Sequence, residues 1–107
     1  MAQYDVHLLA GPRAAHGPVR IHMVVDLQAE LFSHLPTRMV APLIPASSLG
    51  APIARLNPIV MVDGVRYYLI VQQAVGISTR ELGAVVGSAV ESCDAIKDAL
   101  DLLLLGI

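Results

Sequence analysis

The sequence contains no tryptophan and only one phenylalanine among its 107 residues. Aromatic side chains supply the stacking platforms on which proteins bind single-stranded nucleic acid. Basic residues are also sparse, because the seven Lys and Arg residues are spread along the chain and the formal net charge is −2. Binding to a nucleic acid backbone requires a basic surface that neutralises phosphates. We therefore expect no direct contact with DNA or RNA.

The chain also lacks the features of a secreted or membrane protein. Its single cysteine, Cys93, excludes an intrachain disulfide. The first residues include the acidic Asp5 and no basic n-region, so they do not resemble a signal peptide. No apolar run approaches the ~20 residues that span a bilayer. We expect a cytoplasmic protein that has no membrane partner.

Composition predicts one folded domain over residues 1–107. Hydrophobic residues make up 55% of the chain and charged residues only 15%, a balance that disfavours disorder. A chain of this length is sufficient for a single core. No internal repeat, low-complexity tract or linker divides it.

Short segments rich in β-branched and aromatic residues predict about five strands. These segments are residues 4–9, 19–27, 37–45, 58–62 and 65–71. Two Gly-Pro pairs, at 11–12 and 17–18, predict a loop between the first two strands. Asp63-Gly64 predicts a two-residue hairpin turn between the last two, which is the strongest short-range signal in the chain.

Prolines and glycines qualify this prediction in two places. Pro42 and Pro45 cannot donate hydrogen bonds to a ladder, so the third strand should lie at an edge or be broken by a bulge. Residues 76–83 read as a linker with a short helical turn, in which Ser78 is the cap and Glu81 the third position.

Residues 88–107 predict one amphipathic helix. Ser88 and Glu91 have the spacing of a capping box. An apolar stripe then recurs at alternating spacings of four and three residues: Ala89, Cys93, Ile96, Leu100 and Leu103. About five strands followed by one helix imply a small barrel or twisted sheet with the helix across its open face.

The end of this helix departs from the amphipathic pattern. Four consecutive leucines, at positions 102–105, cover the whole circumference of the last turn. Gly106 then predicts a left-handed stop before Ile107. The pattern leaves two interpretations open: the turn is buried in the fold or in a self-dimer, or it is an exposed apolar surface for another protein.

No constellation of residues predicts catalysis, a metal or a cofactor. The four histidines lack the spacing of a metal site, and no glycine-rich phosphate loop follows a strand. Ser47, Ser48 and Cys93 have no base beside them in the predicted arrangement. Arg38 could serve phosphate chemistry, although an arginine at a strand edge is more often a surface or structural charge.

Four blocks of the sequence, taken in order, resemble the CcdB family, the toxins of type II toxin–antitoxin modules. The blocks are Val-Asp-Leu-Gln at 25–28, Arg-Met-Val-Ala-Pro-Leu at 38–43, Leu-Asn-Pro-Ile-Val at 56–60, and Ile-Lys-Asp-Ala-Leu-Asp at 96–101 leading to Gly106-Ile107. The similarity covers nearly the whole chain.

The resemblance implies a mainly β fold, a small SH3-like barrel of the CcdB/MazF type with one C-terminal α-helix. It implies a non-enzymatic homodimer that binds the A subunit of DNA gyrase with its helix tips and traps the enzyme on cleaved DNA. It also implies neutralisation by a CcdA-like antitoxin with a disordered tail. The related MazF/Kid ribonucleases use the same fold.

The resemblance also implies site residues. The target-binding positions are Asp101, Leu104, Leu105, Gly106 and Ile107, with Leu31 and Phe32 from the loop after the second strand. The positions that support them are Gln3, Tyr4 and His7. This chain has Leu104-Leu105 where the family has Phe-Trp, and Asp101 where the family has a neutral amide.

Three interpretations follow. The first is a CcdB-like toxin directed at gyrase or at a diverged target. The second is a MazF-like endoribonuclease toxin, and the third is an inactive CcdB remnant.

Overall fold

The computed structural model describes residues 2–16 and 19–107, with side chains described for residues 2–10 and 21–107. Within these residues, seven strands form one antiparallel sheet. The strands are β1 (Asp5–His16), β2 (Val19–Asp26), β3 (Thr37–Pro45), β4 (Ile59–Val62), β5 (Val65–Leu69), β6 (Val75–Ser78) and β7 (Leu82–Ser88). One α-helix, α1 (Cys93–Leu105), follows.

The strand order is β4-β5-β3-β2-β1-β7, and β6 pairs with β3 beyond the end of β5. The sheet curls into a half-barrel with α1 packed against it, so the predicted fold class is confirmed. Adjacent β2 residues point to opposite faces of the sheet. Val25 belongs to the core cluster that includes Ile96 of α1, whereas Val24 belongs to a second cluster with Ile44 and Ile70. Both faces of the central strands are therefore buried.

The predicted loop at residues 11–18 is wrong where the structure describes it. β1 continues through these residues to His16, and Arg13 pairs with Ile21 of β2. A register shift between Leu8 and Arg13 absorbs the Gly11-Pro12 pair, as a β-bulge does. Residues 17 and 18, the second Gly-Pro pair, lie outside the described part of the chain.

β3 is a central strand, and the prediction that its prolines place it at an edge is wrong. It pairs with β2 on one side and with β5 and β6 on the other. The N and carbonyl O of a strand residue point to the same side. The carbonyl of Pro42 accepts from Ile70 N at 2.9 Å, on the side of the gap between β5 and β6. The missing N–H of Pro42 faces this gap, so it removes no bond from the ladder with β2.

The hairpin at Asp63-Gly64 is confirmed. Val62 pairs with Val65, and both turn residues have positive φ, 50° for Asp63 and 77° for Gly64. This is the combination that a type I′ turn requires. The helical turn at Thr79–Glu81 is also present: Ser78 Oγ accepts from Arg80 N at 3.3 Å, and Ser78 N donates to the Glu81 carboxylate at 3.3 Å.

The sequence analysis missed β6 and β7. The predicted long fifth strand ends at Leu69 and is followed by a 3-10 turn, Val71–Gln73, before β6 begins. β7 begins within the predicted linker, runs through residues 84–87, which had no assignment, and ends at Ser88, the predicted start of the helix. Its glycines weaken the strand signal, but Gly83 lies so close to β1 that an added Cβ would meet Leu8 O at 2.9 Å.

The helix therefore begins later than the capping-box pattern predicts. Ser88 is the last residue of β7, and its Oγ accepts from Val90 N at 3.2 Å. A 3-10 turn, Val90–Ser92, leads into α1 at Cys93. The main chain at Ala89 donates to Tyr4 O at 2.8 Å, so this segment is fixed to the start of β1 before the helix begins.

A buried ion pair joins β2 and β3 at the centre of the sheet. Asp26 and Arg38 are both fully buried, and Asp26 Oδ2 accepts from Arg38 Nη2 at 2.5 Å and from Arg38 Nε at 2.9 Å. Asp26 Oδ1 accepts from Gln28 N at 3.0 Å. Arg38 Nη1 is buried and has no partner among the described residues. Arg38 is thus a structural charge, and its guanidinium is not presented to phosphate at the surface.

We predict that Arg38→Met lowers the free energy of unfolding by about 3–5 kcal/mol, because it leaves the Asp26 carboxylate buried without its counterion. Arg38→Met with Asp26→Leu should recover much of this loss, since no charge then remains buried. Arg66→Met is the control, as Arg66 is exposed on β5. Urea unfolding followed by circular dichroism measures all three, and a loss below ~1 kcal/mol for Arg38→Met would contradict the prediction.

Candidate functional site

The apolar face of α1 changes from buried to exposed along its length. Ile96 and Ala99 are fully buried against the sheet. At the far end the exposed fractions rise to 74% for Leu104, 67% for Leu105 and 70% for Ile107. We call residues 104–107 the tip. An exposed apolar cluster of this kind is typical of a protein-binding surface. Of the two interpretations left open by the four leucines, burial inside the fold of one chain is thereby excluded.

The tip is shaped by its glycine. Gly106 has φ 75°, and its N–H donates to Leu102 O at 3.0 Å, so it closes the helix in the left-handed conformation that the sequence predicted. The main-chain oxygen of the next residue, Ile107, accepts from Arg55 Nη2 at 3.0 Å. Arg55, in the loop between β3 and β4, was not among the predicted site residues.

Leu31 and Phe32 lie in a 3-10 turn, Glu30–Phe32, between β2 and β3. Their exposed fractions are 77% and 47%. The Gln28 side chain fastens this loop: its Nε2 donates to Phe32 O at 2.9 Å and to Thr37 O at 3.2 Å, and its Oε1 accepts from Met39 N at 2.9 Å. Two large apolar side chains are thus presented to solvent on a fixed loop.

Two of the predicted supporting residues, Gln3 and Tyr4, connect the start of β1 to the end of β2, where this loop begins. Gln3 Nε2 donates to Leu27 O at 3.1 Å. Tyr4 is buried, with φ 70°, and its N–H donates to Asp26 O at 2.6 Å. Because Tyr4 O also accepts from Ala89 N, Tyr4 links the end of β2 to the segment that leads into α1.

His7, the third predicted supporting residue, is a residue of β1 and pairs with Val85 of β7. It is buried, its Nδ1 is 3.1 Å from Gly83 O, and its Nε2 has no partner among the described residues. Since its described hydrogen bond reaches β7 and not the tip, a role in supporting the tip stays a prediction.

The exposed side of α1 that leads to the tip carries three aspartates and Lys97. Asp94, Asp98 and Asp101 are exposed, and the Asp98 carboxylate accepts from Arg55 Nε at 3.3 Å and from Arg55 Nη2 at 3.4 Å. The hydrogen bonds therefore gather the site residues into two groups. The first is the tip with Arg55 and Asp98, and the second is the Leu31–Phe32 loop with Gln28 and Gln3.

The described residues contain no cluster of three or more His, Cys, Asp or Glu side chains that could hold a metal ion. Cys93 is half-buried at the start of α1, where its thiol lies 3.9 Å from an Asp94 carboxylate oxygen. In the part of the chain that the structure describes, no helix has the length and apolar character needed to cross a membrane.

Comparison with known proteins gives one family. The family model described as "CcdB protein" matches residues 3–106, which is nearly the whole chain. No curated protein matches the chain.

We predict that Leu105→Ala changes the free energy of unfolding by no more than about 0.5 kcal/mol, because the side chain is mostly exposed. Ile96→Ala is the matched control on the buried side of α1 and should lose about 2–5 kcal/mol. Thermal and urea unfolding of both variants test this. A loss above ~2 kcal/mol for Leu105→Ala would mean that the tip is packed, in the fold or in an assembly.

Proposed function

The chain belongs to the CcdB family, whose members are toxins of toxin–antitoxin systems, and we propose that it acts by binding a topoisomerase target through the tip. The observation that carries the proposal is the exposure of Leu104, Leu105 and Ile107 at the end of a helix whose Ile96 and Ala99 are buried against the sheet. Desolvating these side chains in a socket on another protein supplies binding free energy of roughly 25 cal/mol per Å² of apolar surface, before the costs of association.

The target we propose is the A subunit of DNA gyrase or a diverged form of it. Aromatic anchors contribute a large share of many interfaces, and this chain has Leu104-Leu105 where the family has Phe-Trp. A leucine still fills an apolar pocket, but it lacks the ring area and the indole N–H of tryptophan. Asp101 adds negative charge beside the same surface. A target that suits this tip therefore has an aliphatic socket with basic rather than acidic groups around it.

Leu31 and Phe32 form a second part of the proposed binding surface. They are exposed on a loop that the Gln28 side chain fixes, so their contact with a partner would cost little ordering entropy. In a two-fold dimer the same surfaces occur twice. We propose that the working form is a homodimer neutralised by a CcdA-like antitoxin.

We predict that the purified protein binds the gyrase A subunit and that Leu105→Ala weakens binding by about thirtyfold or more, the ~2 kcal/mol loss of a hot-spot residue. Leu105→Trp should strengthen binding, since it restores the family's anchor. Leu8→Ala is the matched control, because Leu8 is an exposed leucine on β1, away from the tip. Surface plasmon resonance measures affinity, and growth arrest on expression measures toxicity.

Two outcomes would contradict this proposal. If neither the native protein nor Leu105→Trp binds gyrase and expression leaves growth unaffected, the chain is an inactive remnant or has another target. Discrete fragments from a long mixed-sequence RNA would instead favour a MazF-like endoribonuclease. The full burial of Arg38 in its pair with Asp26 speaks against that alternative, because the guanidinium cannot reach a phosphate without unfolding the central strands.

We predict that light scattering at micromolar concentration gives the mass of a dimer. Large apolar side chains are exposed on several elements besides the tip, among them Ile59 and Met61 on β4 and Val85 on β7, and an isologous interface would cover part of this surface. A mass of one chain of 11.3 kDa across the micromolar range would exclude the homodimer.

A further inference from the structure

The loop between β3 and β4 has an unusual backbone at the residue that contacts the tip. Arg55 has φ 67°, in the left-handed region that residues with a Cβ rarely adopt. Such a conformation persists only where the surrounding structure holds it.

A buried asparagine holds this loop in place. Asn57 is 7% exposed; its Oδ1 accepts from Ile53 N at 2.8 Å, and its Nδ2 donates to Gln72 Oε1 at 2.8 Å and to Leu69 O at 3.4 Å. The loop is thereby fastened to β5 and to the 3-10 turn Val71–Gln73, which lies against α1. The main chain at Arg55 is consequently fixed relative to the helix.

From this position the guanidinium of Arg55 contacts two residues near the end of α1, Asp98 and Ile107. Nε and Nη2 donate to the two carboxylate oxygens of Asp98 at 3.3 and 3.4 Å, and Nη2 also donates to the main-chain oxygen of Ile107 at 3.0 Å. One cation thus ties a residue inside α1 to a residue beyond its glycine stop. The planar arrangement of guanidinium donors permits this simultaneous contact.

We propose that Arg55 is a positioning residue that holds the backbone of Ile107 against α1 and so presents the tip in one orientation to its partner. This inference rests on the proposed function, since it assigns a role within the same surface. Ile107 lies beyond Gly106, which closes α1, and among the described residues its main-chain oxygen is held by Arg55. An apolar surface that is already ordered binds with a smaller entropic cost.

The contact between Arg55 and Asp98 contributes little to the free energy of unfolding of the whole protein. The side chains of Arg55 and Asp98 are 55% and 54% exposed, and ion pairs that are exposed to this extent add little to the free energy of unfolding. Its effect is local, because it acts on the residues at the end of the helix.

The test is ¹⁵N relaxation of the amides of Gly106 and Ile107 in the full chain. In the native protein their order parameters should approach the value of rigid backbone, about 0.85, and in Arg55→Met they should fall below about 0.6, the range of flexible backbone. Arg55→Lys should show the same loss, because a single ammonium does not reproduce the planar fork. Arg66→Met, at an exposed position on β5, is the matched control and should change neither amide.

Binding to the gyrase A subunit is the second readout. Arg55→Met should weaken it by about two- to fivefold, the fold-change that corresponds to an exposed ion pair, with the melting temperature unchanged.

The two readouts separate this inference from the proposed function. If the order parameters of Gly106 and Ile107 are the same in Arg55→Met as in the native protein, the positioning role is overturned, whatever binds the tip. If they fall as expected but affinity does not change, the ordering is real and its role in partner binding is overturned. If the native protein binds no gyrase, the proposed target fails, and the relaxation data still decide whether Arg55 orders the tip.

Discussion

The register of the central strands depends on the contact between the Asp26 carboxylate and the Arg38 guanidinium in the middle of the sheet. Two buried charges are costly apart and tolerable together, so β2 and β3 must pair in the register that brings them into contact. A slip by one residue would turn Arg38 to the opposite face. The same aspartate accepts from Gln28 N with its other carboxylate oxygen and from Tyr4 N with its main-chain oxygen. One residue therefore organises the start of β1, the central ladder and the loop that carries Leu31 and Phe32.

Local chemistry predicted the parts of the fold that short segments determine by themselves. The Asp63-Gly64 turn needs positive φ at both residues, and the chain supplies the residue types that tolerate it. Gly106 closes the helix for the same reason. The prediction failed where the answer depends on distant neighbours. Pro42 is acceptable in a central strand only because its nitrogen faces the gap between β5 and β6, and no pattern in the sequence describes that gap.

The exposed apolar surface at the end of α1 was predictable to a similar degree. Four consecutive leucines exceed what one packed face can bury, and the structure leaves two of them, Leu104 and Leu105, mostly exposed. Arg55 could not be found in this way. Its partners are 43 and 52 residues away in the chain. Neither the arginine itself nor the residues beside it predict a left-handed backbone at this position. The sequence signal that was available for this loop is Asn57, which precedes a proline. Asparagine is a residue type whose side chain often fixes a loop.

Among the described strands, β4, β6 and β7 each have one unpaired side, and such edges invite pairing with other chains. The edges of β4 and β7 lie against each other, and the described residues form no ladder between them: an added Cβ on Gly87 would lie 3.5 Å from Val62 Cγ1. The Ser92 hydroxyl donates to Ile59 O at 2.8 Å and so occupies an acceptor on the β4 edge. The close approach of β7 and the hydrogen bond from Ser92 thus protect the edge of β4 from pairing with another chain. A second chain would have to displace the Ser92 hydroxyl before it could pair with β4 along this edge.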